Sequence, residues 1–122
     1  MAKRILYVED NAQNKRLVRK ILVSRGYEVL EAEDGLAGVE ITKNELPDLV
    51  LMDINIPGID GLEATGILKS TNETQHIPII ALTANAMRGD EERFLAAGCN
   101  GYLPKPINMA DLLDKVRGFL GE

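Results

Sequence analysis

Short, almost unbroken apolar runs, set between longer helical patterns, constrain this chain more than any other feature of it. Ile5-Leu6-Tyr7-Val8, Leu49-Val50-Leu51-Met52 and Ile79-Ile80-Ala81-Leu82 carry no charge, as strands do when a parallel sheet is covered on both faces. Tyr27-Glu28-Val29-Leu30 alternates instead, which suits an edge strand. Gly101-Tyr102-Leu103, enclosed by Gly98 and Pro104, reads as a short fifth strand.

Helical spacing fills the intervals. Leu17, Ile21 and Leu22 recur at that spacing, and Gly26 supplies a stop. Leu36, Val39 and Lys43 mark a second helix behind Asp34 as N-cap, and Leu62 to Leu68 a third. A fourth runs from Met87 to Ala97 and is closed by Gly98; Leu112, Val116, Phe119 and Leu120 define an amphipathic last helix capped by Asn108. The order βαβαβαβαβα predicts an α/β fold, a five-stranded parallel sheet flanked by five helices. Right-handed crossovers leave few arrangements of it. The 122 residues contain no linker, low-complexity tract or internal repeat, so the expected organisation is one domain over residues 1–122.

Four polar groups follow the ends of four of the runs: Glu9-Asp10, Asp53, Thr83 and Lys105. Strands of a parallel sheet all end on one side, so these side chains converge in one crevice at the sheet's carboxyl edge, where open α/β sheets place ligands. Each has a plainer explanation alone. Glu9-Asp10-Asn11 serves as a helix cap, Asp53 opens a turn on Pro57-Gly58, Thr83 suits an N-cap, and Lys105 is an ordinary surface lysine. Coincidence at four strand ends argues against all of these together.

Three carboxylates brought together repel, by roughly 4 kcal/mol per pair at about 4 Å and an effective dielectric near 20. Either protons are taken up or a cation sits among them. All-oxygen donors with room for water favour Mg²⁺, and no His/Cys cluster offers an alternative. A carboxylate flanked by Mg²⁺, the Lys105 ammonium and the Thr83 hydroxyl suits phosphoryl transfer, with Asp53 as acceptor.

At these segments the chain resembles the receiver domains of two-component response regulators. The resemblance rests on Tyr7-Val8-Glu9-Asp10-Asn11, on Leu51-Met52-Asp53 through Gly61, on Ala81-Leu82-Thr83-Ala84 and on Lys105-Pro106. It implies a flavodoxin-like, CheY-like (βα)5 fold with strand order 2-1-3-4-5. It also implies Asp10, Asp53 and the backbone carbonyl of Asn55 as Mg²⁺ ligands, with Glu9 acting through water in place of the shorter Asp of many relatives. Thr83 and Lys105 would bind the phosphoryl group, and Lys105-Pro106 would be a cis peptide. Thr83 and Tyr102 would form the conformational switch, with output through the fourth helix, fifth strand and last helix. Asn85 occupies a position where receivers differ and tune hydrolysis. The implied phosphodonor is a histidine kinase or histidine phosphotransferase, and the implied output is a downstream protein target.

Other functions fit less well. Asp53-Ile54-Asn55 begins like a Ca²⁺ loop, but Pro57 falls on a ligand position and Ala64 where the bidentate Glu is required. Acidic residues after the first run would repel a flavin phosphate, and no G-x-x-x-x-G-K-[ST] is present. Aspartyl-phosphate phosphatases carry a second Asp two residues after the nucleophile, where this chain has Asn55. The chain is therefore expected to be a phosphoacceptor switch that catalyses only its own phosphorylation and slow dephosphorylation. The net charge of −5 argues against direct DNA binding and against anionic membrane surfaces. A lone Cys99 and the lack of any signal-like stretch suit a cytoplasmic domain without membrane insertion, and a monomer is expected. Met87-Arg88-Gly89-Asp90-Glu91-Glu92-Arg93 and Gly98-Cys99 suggest a free-standing receiver similar to the DivK type. A receiver from a hybrid sensor kinase, or a phosphorylation-independent interaction module, is the alternative.

Overall fold

The computed structural model describes residues 2–56, 58–84 and 90–121. Five strands and five helices alternate: β1 (Arg4–Val8), α1 (Ala12–Ser24), β2 (Glu28–Ala32), α2 (Gly35–Glu45), β3 (Leu49–Asp53), α3 (Gly61–Lys69), β4 (Ile79–Thr83), α4 (Asp90–Ala97), β5 (Gly101–Pro104) and α5 (Met109–Leu120). Every pairing is parallel and the order is β2-β1-β3-β4-β5, as expected. Pro57, Asn85 and the expected start of the fourth helix at Met87 lie outside the described residues.

Strand alternation sorts the side chains onto two faces. Ile5, Tyr7, Leu49, Leu51, Ile80, Leu82 and Leu103 point towards α1 and α5, where Val18, Leu22, Leu112 and Val116 meet them. Leu6, Val8, Val50, Met52 and Ile79 point towards α2 and α3. Ala81 also leaves on that second side, into a smaller cluster with Ile54, Phe94 and Cys99. Burying each large apolar side chain contributes about 1.5–3 kcal/mol, so the doubly covered strands β1, β3 and β4 form the most strongly held part of the molecule.

Four helices begin on a side-chain cap. Asn11, Asp34, Asp60 and Asn108 accept from the backbone N–H of Asn14, Ala37, Glu63 and Asp111 at 2.8–3.1 Å, each worth about 1 kcal/mol.

Two helix faces differ from the apolar spacing. In α1 the buried residues are Val18 and Leu22, whereas Leu17 is 53% exposed. In α2, Leu36 is 60% exposed and the buried face is Gly35, Gly38, Val39 and Thr42. The reason is close approach. A Cβ on Gly38 would stand 2.9 Å from Val8 Cγ2, so the helix packs on β1 through its smallest residues. Thr42, at the same face, satisfies its hydroxyl on the Gly38 carbonyl at 2.7 Å.

Candidate functional site

β1, β3, β4 and β5 all end at the same edge, and the loops that follow hold the polar residues. Asp53 closes β3 and is 1% exposed. Its Oδ1 accepts from the Asn55 N–H at 3.0 Å and its Oδ2 from Lys105 Nζ at 2.7 Å. Gly61 lets the start of α3 lie directly against the backbone of Asp53 and Ile54. A Cβ there would come within 2.5 Å of the Asp53 carbonyl oxygen, so any larger residue would push the end of β3 aside.

Glu9 is also 1% exposed and carries four donors. Tyr7 Oη, Asn14 Nδ2 and Lys105 Nζ each donate to Oε1 at 3.2 Å, and the Asp10 N–H donates to Oε2 at 3.2 Å. Asp10 is exposed beside it. Oxygens of Glu9, Asp10 and Asp53 all lie within 4.8 Å of one another. Lys105 is the cation between the two buried acids, and the peptide that joins it to Pro106 is cis.

Charges in this cleft are mutually tuned. Burial, reinforced by the neighbouring Glu9, pushes Asp53 from 3.8 up to about 6, against the opposing pull of Lys105 and the Asn55 amide. Burial would raise Glu9 as well, but hydrogen bonding with Asp53, the Lys105 charge and the Asn14 amide outweigh it and hold Glu9 at about 2. Burial alone would lower Lys105; the Asp53 and Glu9 carboxylates override that and raise it. Burial and the two nearby acids raise Tyr7 above its ordinary value, so its phenol stays a donor.

Thr83 ends β4 and is buried, one register step beyond Leu82, which faces Asp53 across the ladder. Tyr102 pairs with Ala81 on the next strand, which puts it two residues below Thr83 on the same face. Its ring is half-buried against Phe94 at a centroid distance of 6.0 Å. Glu9, Asp10, Asp53 and Lys105 are thus brought into one cleft, while Thr83 ends the strand next to Asp53 and Tyr102 lies below it on the other sheet face. Asn55 contributes its backbone, with an exposed side chain.

Tyr7 and Asn14 belong to this cleft too, although the sequence pattern shows Tyr7 only as part of an apolar run. The available signal is parity: Tyr7 and Glu9 are two apart, so a phenol on the core face points its polar tip at the carboxylate above it. Beside Lys105 a groove of about 440 Å³ opens between Asn14, Leu17, Val18, Ala84, Ile107 and Met109.

The donor set fits a hard divalent cation: three carboxylates, no nitrogen or sulfur, and one carboxylate open to solvent. Among the described residues no helix is long and apolar enough to cross a membrane.

Known proteins match this arrangement over its whole length. The family model described as the response regulator receiver domain matches residues 5–117. The polar-differentiation response regulator DivK of Brucella anthropi is 42% identical over 122 residues, covering 100% of this chain and 99% of that protein. Among solved structures, the receiver domain of a sensor histidine kinase from Pseudomonas aeruginosa superposes with a TM-score of 0.91 at 38% identity, covering 100% of both chains. That receiver domain has a magnesium ion coordinated in its active-site cleft. A CheY-like receiver domain protein from Methanospirillum hungatei gives a TM-score of 0.91 at 31% identity, over 99% of this chain and 95% of that one.

Proposed function

The chain belongs to the response regulator receiver family of two-component signalling, and from that premise we propose that Asp53 is its phosphoryl acceptor. The observation that carries this is the acceptor's setting: a carboxylate 1% exposed, at a strand end, with the Lys105 ammonium 2.7 Å from one oxygen and two further carboxylates alongside.

Asp10 and Asp53, with the backbone carbonyl of Asn55, would hold Mg²⁺, with Glu9 contributing through water. Bound there, the cation would supply positive charge against the phosphoryl oxygens. The chain's own groups do the rest. An Asp53 oxygen attacks the phosphorus of a phosphohistidine on a histidine kinase or phosphotransferase. An O–P bond forms as the N–P bond breaks, and the departing imidazole nitrogen keeps the electron pair and takes a proton from water. Lys105 transfers its hydrogen bonding from the Asp53 carboxylate to a phosphoryl oxygen, and the Thr83 hydroxyl donates to another. Donors aimed at the oxygens where negative charge gathers are what stabilise such a charge-rich transition state.

Thr83 and Tyr102 then form the readout. A phosphoryl group that binds one Thr83 conformer better shifts the population towards it, and Tyr102, on the same sheet face, follows. The altered surface of α4, β5 and α5 engages a downstream protein. The chain acts as a monomeric cytoplasmic switch, and its catalysis is confined to its own phosphorylation and slow hydrolysis. Asn55, in place of an acid/base Asp, favours a persistent acyl phosphate.

Intact-mass spectrometry after incubation with phosphoramidate tests the acceptor. A labile gain of one phosphoryl group is expected, dependent on Mg²⁺ and absent from Asp53→Asn. An adduct that survives in Asp53→Asn would place the acceptor elsewhere, and no adduct in the wild type would leave an interaction module that does not use phosphate.

A further inference from the structure

Glu9 Oε1 has two lone pairs and three donors. The crowding shows in the distances: Tyr7 Oη stands at 3.2 Å, beyond the usual 2.7–2.8 Å of a hydroxyl donor, and Asn14 Nδ2 and Lys105 Nζ at 3.2 Å, beyond the usual 2.9–3.0 Å of an N–H donor. Lys105 meanwhile makes its shorter contact, 2.7 Å, to Asp53. Of the three donors to Oε1, only Lys105 is required elsewhere when a phosphoryl group arrives. Tyr7 is anchored by a fully buried ring in the α1/α5 core, and Asn14 is fixed in the first turn of a capped helix. Once Lys105 leaves, two donors remain for two lone pairs.

We propose that Tyr7 is a positioning residue of the phosphorylation site: its hydroxyl, with the Asn14 amide, keeps the buried Glu9 carboxylate satisfied so that Lys105 can be given up to the phosphoryl group. Glu9 thereby acts chiefly as the resting counter-ion of Lys105 through Oε1, while its Oε2 accepts from the Asp10 N–H. The device depends on the length of Glu9. An Asp at this position would be one methylene shorter and would withdraw from the phenol beneath it. Without the Tyr7 hydroxyl, releasing Lys105 would leave a buried carboxylate oxygen with one donor, and Lys105 would be held back. The proposal rests on the receiver reading of Asp53 and Lys105.

The test is a double-mutant cycle over Tyr7→Phe and Glu9→Asp. Each protein is titrated with beryllofluoride at saturating Mg²⁺, with Mg²⁺ alone, and with urea to compare folding. Tyr7→Phe is expected to weaken beryllofluoride binding about tenfold, the size of one lost hydrogen bond to a charged group. Mg²⁺ affinity should change by less than about twofold, because the lost donor serves Lys105 release rather than the cation. In the Glu9→Asp background, Tyr7→Phe should change beryllofluoride binding by less than about twofold. Equal losses in both backgrounds would mean the hydroxyl acts through general packing and would overturn the proposal, as would an unchanged Tyr7→Phe in a wild type that binds. A wild type that binds neither probe overturns the receiver reading, and this inference with it.

Discussion

The two faces of the sheet do different work at the carboxyl edge, and strand alternation divides it between them. On the α1/α5 face, the row Leu49, Leu51 ends in Asp53, Tyr7 leads to Glu9, and Leu103 leads to Lys105. On the α3/α4 face, Ala81 leads to Thr83, and Tyr102 packs against Phe94. Asp53, the proposed acceptor, therefore shares one face with Glu9, Lys105 and the Tyr7 phenol, and Thr83 and Tyr102, the proposed readout, share the other. On the first face the buried charges pin each other with hydrogen bonds of 2.7–3.2 Å. On the second, a half-buried phenol ring meets an aromatic neighbour at a tilt of 52°. A hydrogen-bonded charge cluster beside an aromatic contact is an arrangement in which, on the proposed function, a small change at the edge selects between two packings.

The largest expected effect breaks the first face. Lys105→Ala leaves Glu9 and Asp53 buried without their cation, and at about pH 8 the metal-free protein should lose about 2–4 kcal/mol in urea unfolding. Phosphoryl uptake should stay measurable, whereas the response of the other face should be lost. Full signalling by this variant would remove Lys105 from the coupling.

Next in size is a pH dependence peculiar to that face. Asp53 is raised to about 6 in the folded chain, so its protonated form contributes stability at low pH that is lost as pH rises through about 6. Between about pH 7.5 and about pH 5 the metal-free protein should gain about 1–1.5 kcal/mol from this group, and Asp53→Asn should flatten the profile. Glu9, held at about 2, works in the opposite sense, so stability should fall again as pH drops below about 4.5. A monotonic decline from pH 7.5 to 5 would contradict the raised Asp53.

Smaller effects belong to the second face and to the outer helix surfaces. Tyr102→Ala, truncating a half-buried ring, should cost about 1 kcal/mol. It should leave the rate of Asp53 phosphorylation unchanged while weakening target binding; a slowed uptake would show that the faces are not separable. Leu36→Ala should change stability by no more than about 0.5 kcal/mol, since α2 packs through its glycines instead.

The sheet, its order of elements and the polar residues at four strand ends were legible because each rests on local pattern: apolar runs, caps and turn residues. What was not legible depends on approach distances. Apolar spacing cannot tell that α2 meets β1 through Gly38 and Ile59 through Gly35, or that α1 turns Val18 rather than Leu17 to the core. Tyr7 is the instructive case. In a run of aliphatics its ring is core, and only the three-dimensional placement of Glu9 Oε1 above its hydroxyl shows that the same residue serves the site. Asn14 is hidden similarly, as one polar residue among several in the first turn of a helix.

The division between capture and readout is tested most directly by amide NMR of the protein with Mg²⁺, before and after beryllofluoride. The account predicts shifts at Asp53 and Lys105 on the first face together with Thr83, Phe94 and Tyr102 on the second, while the edge strand β2 stays in place. Shifts confined to the cleft, with Phe94 and Tyr102 unmoved, would contradict it.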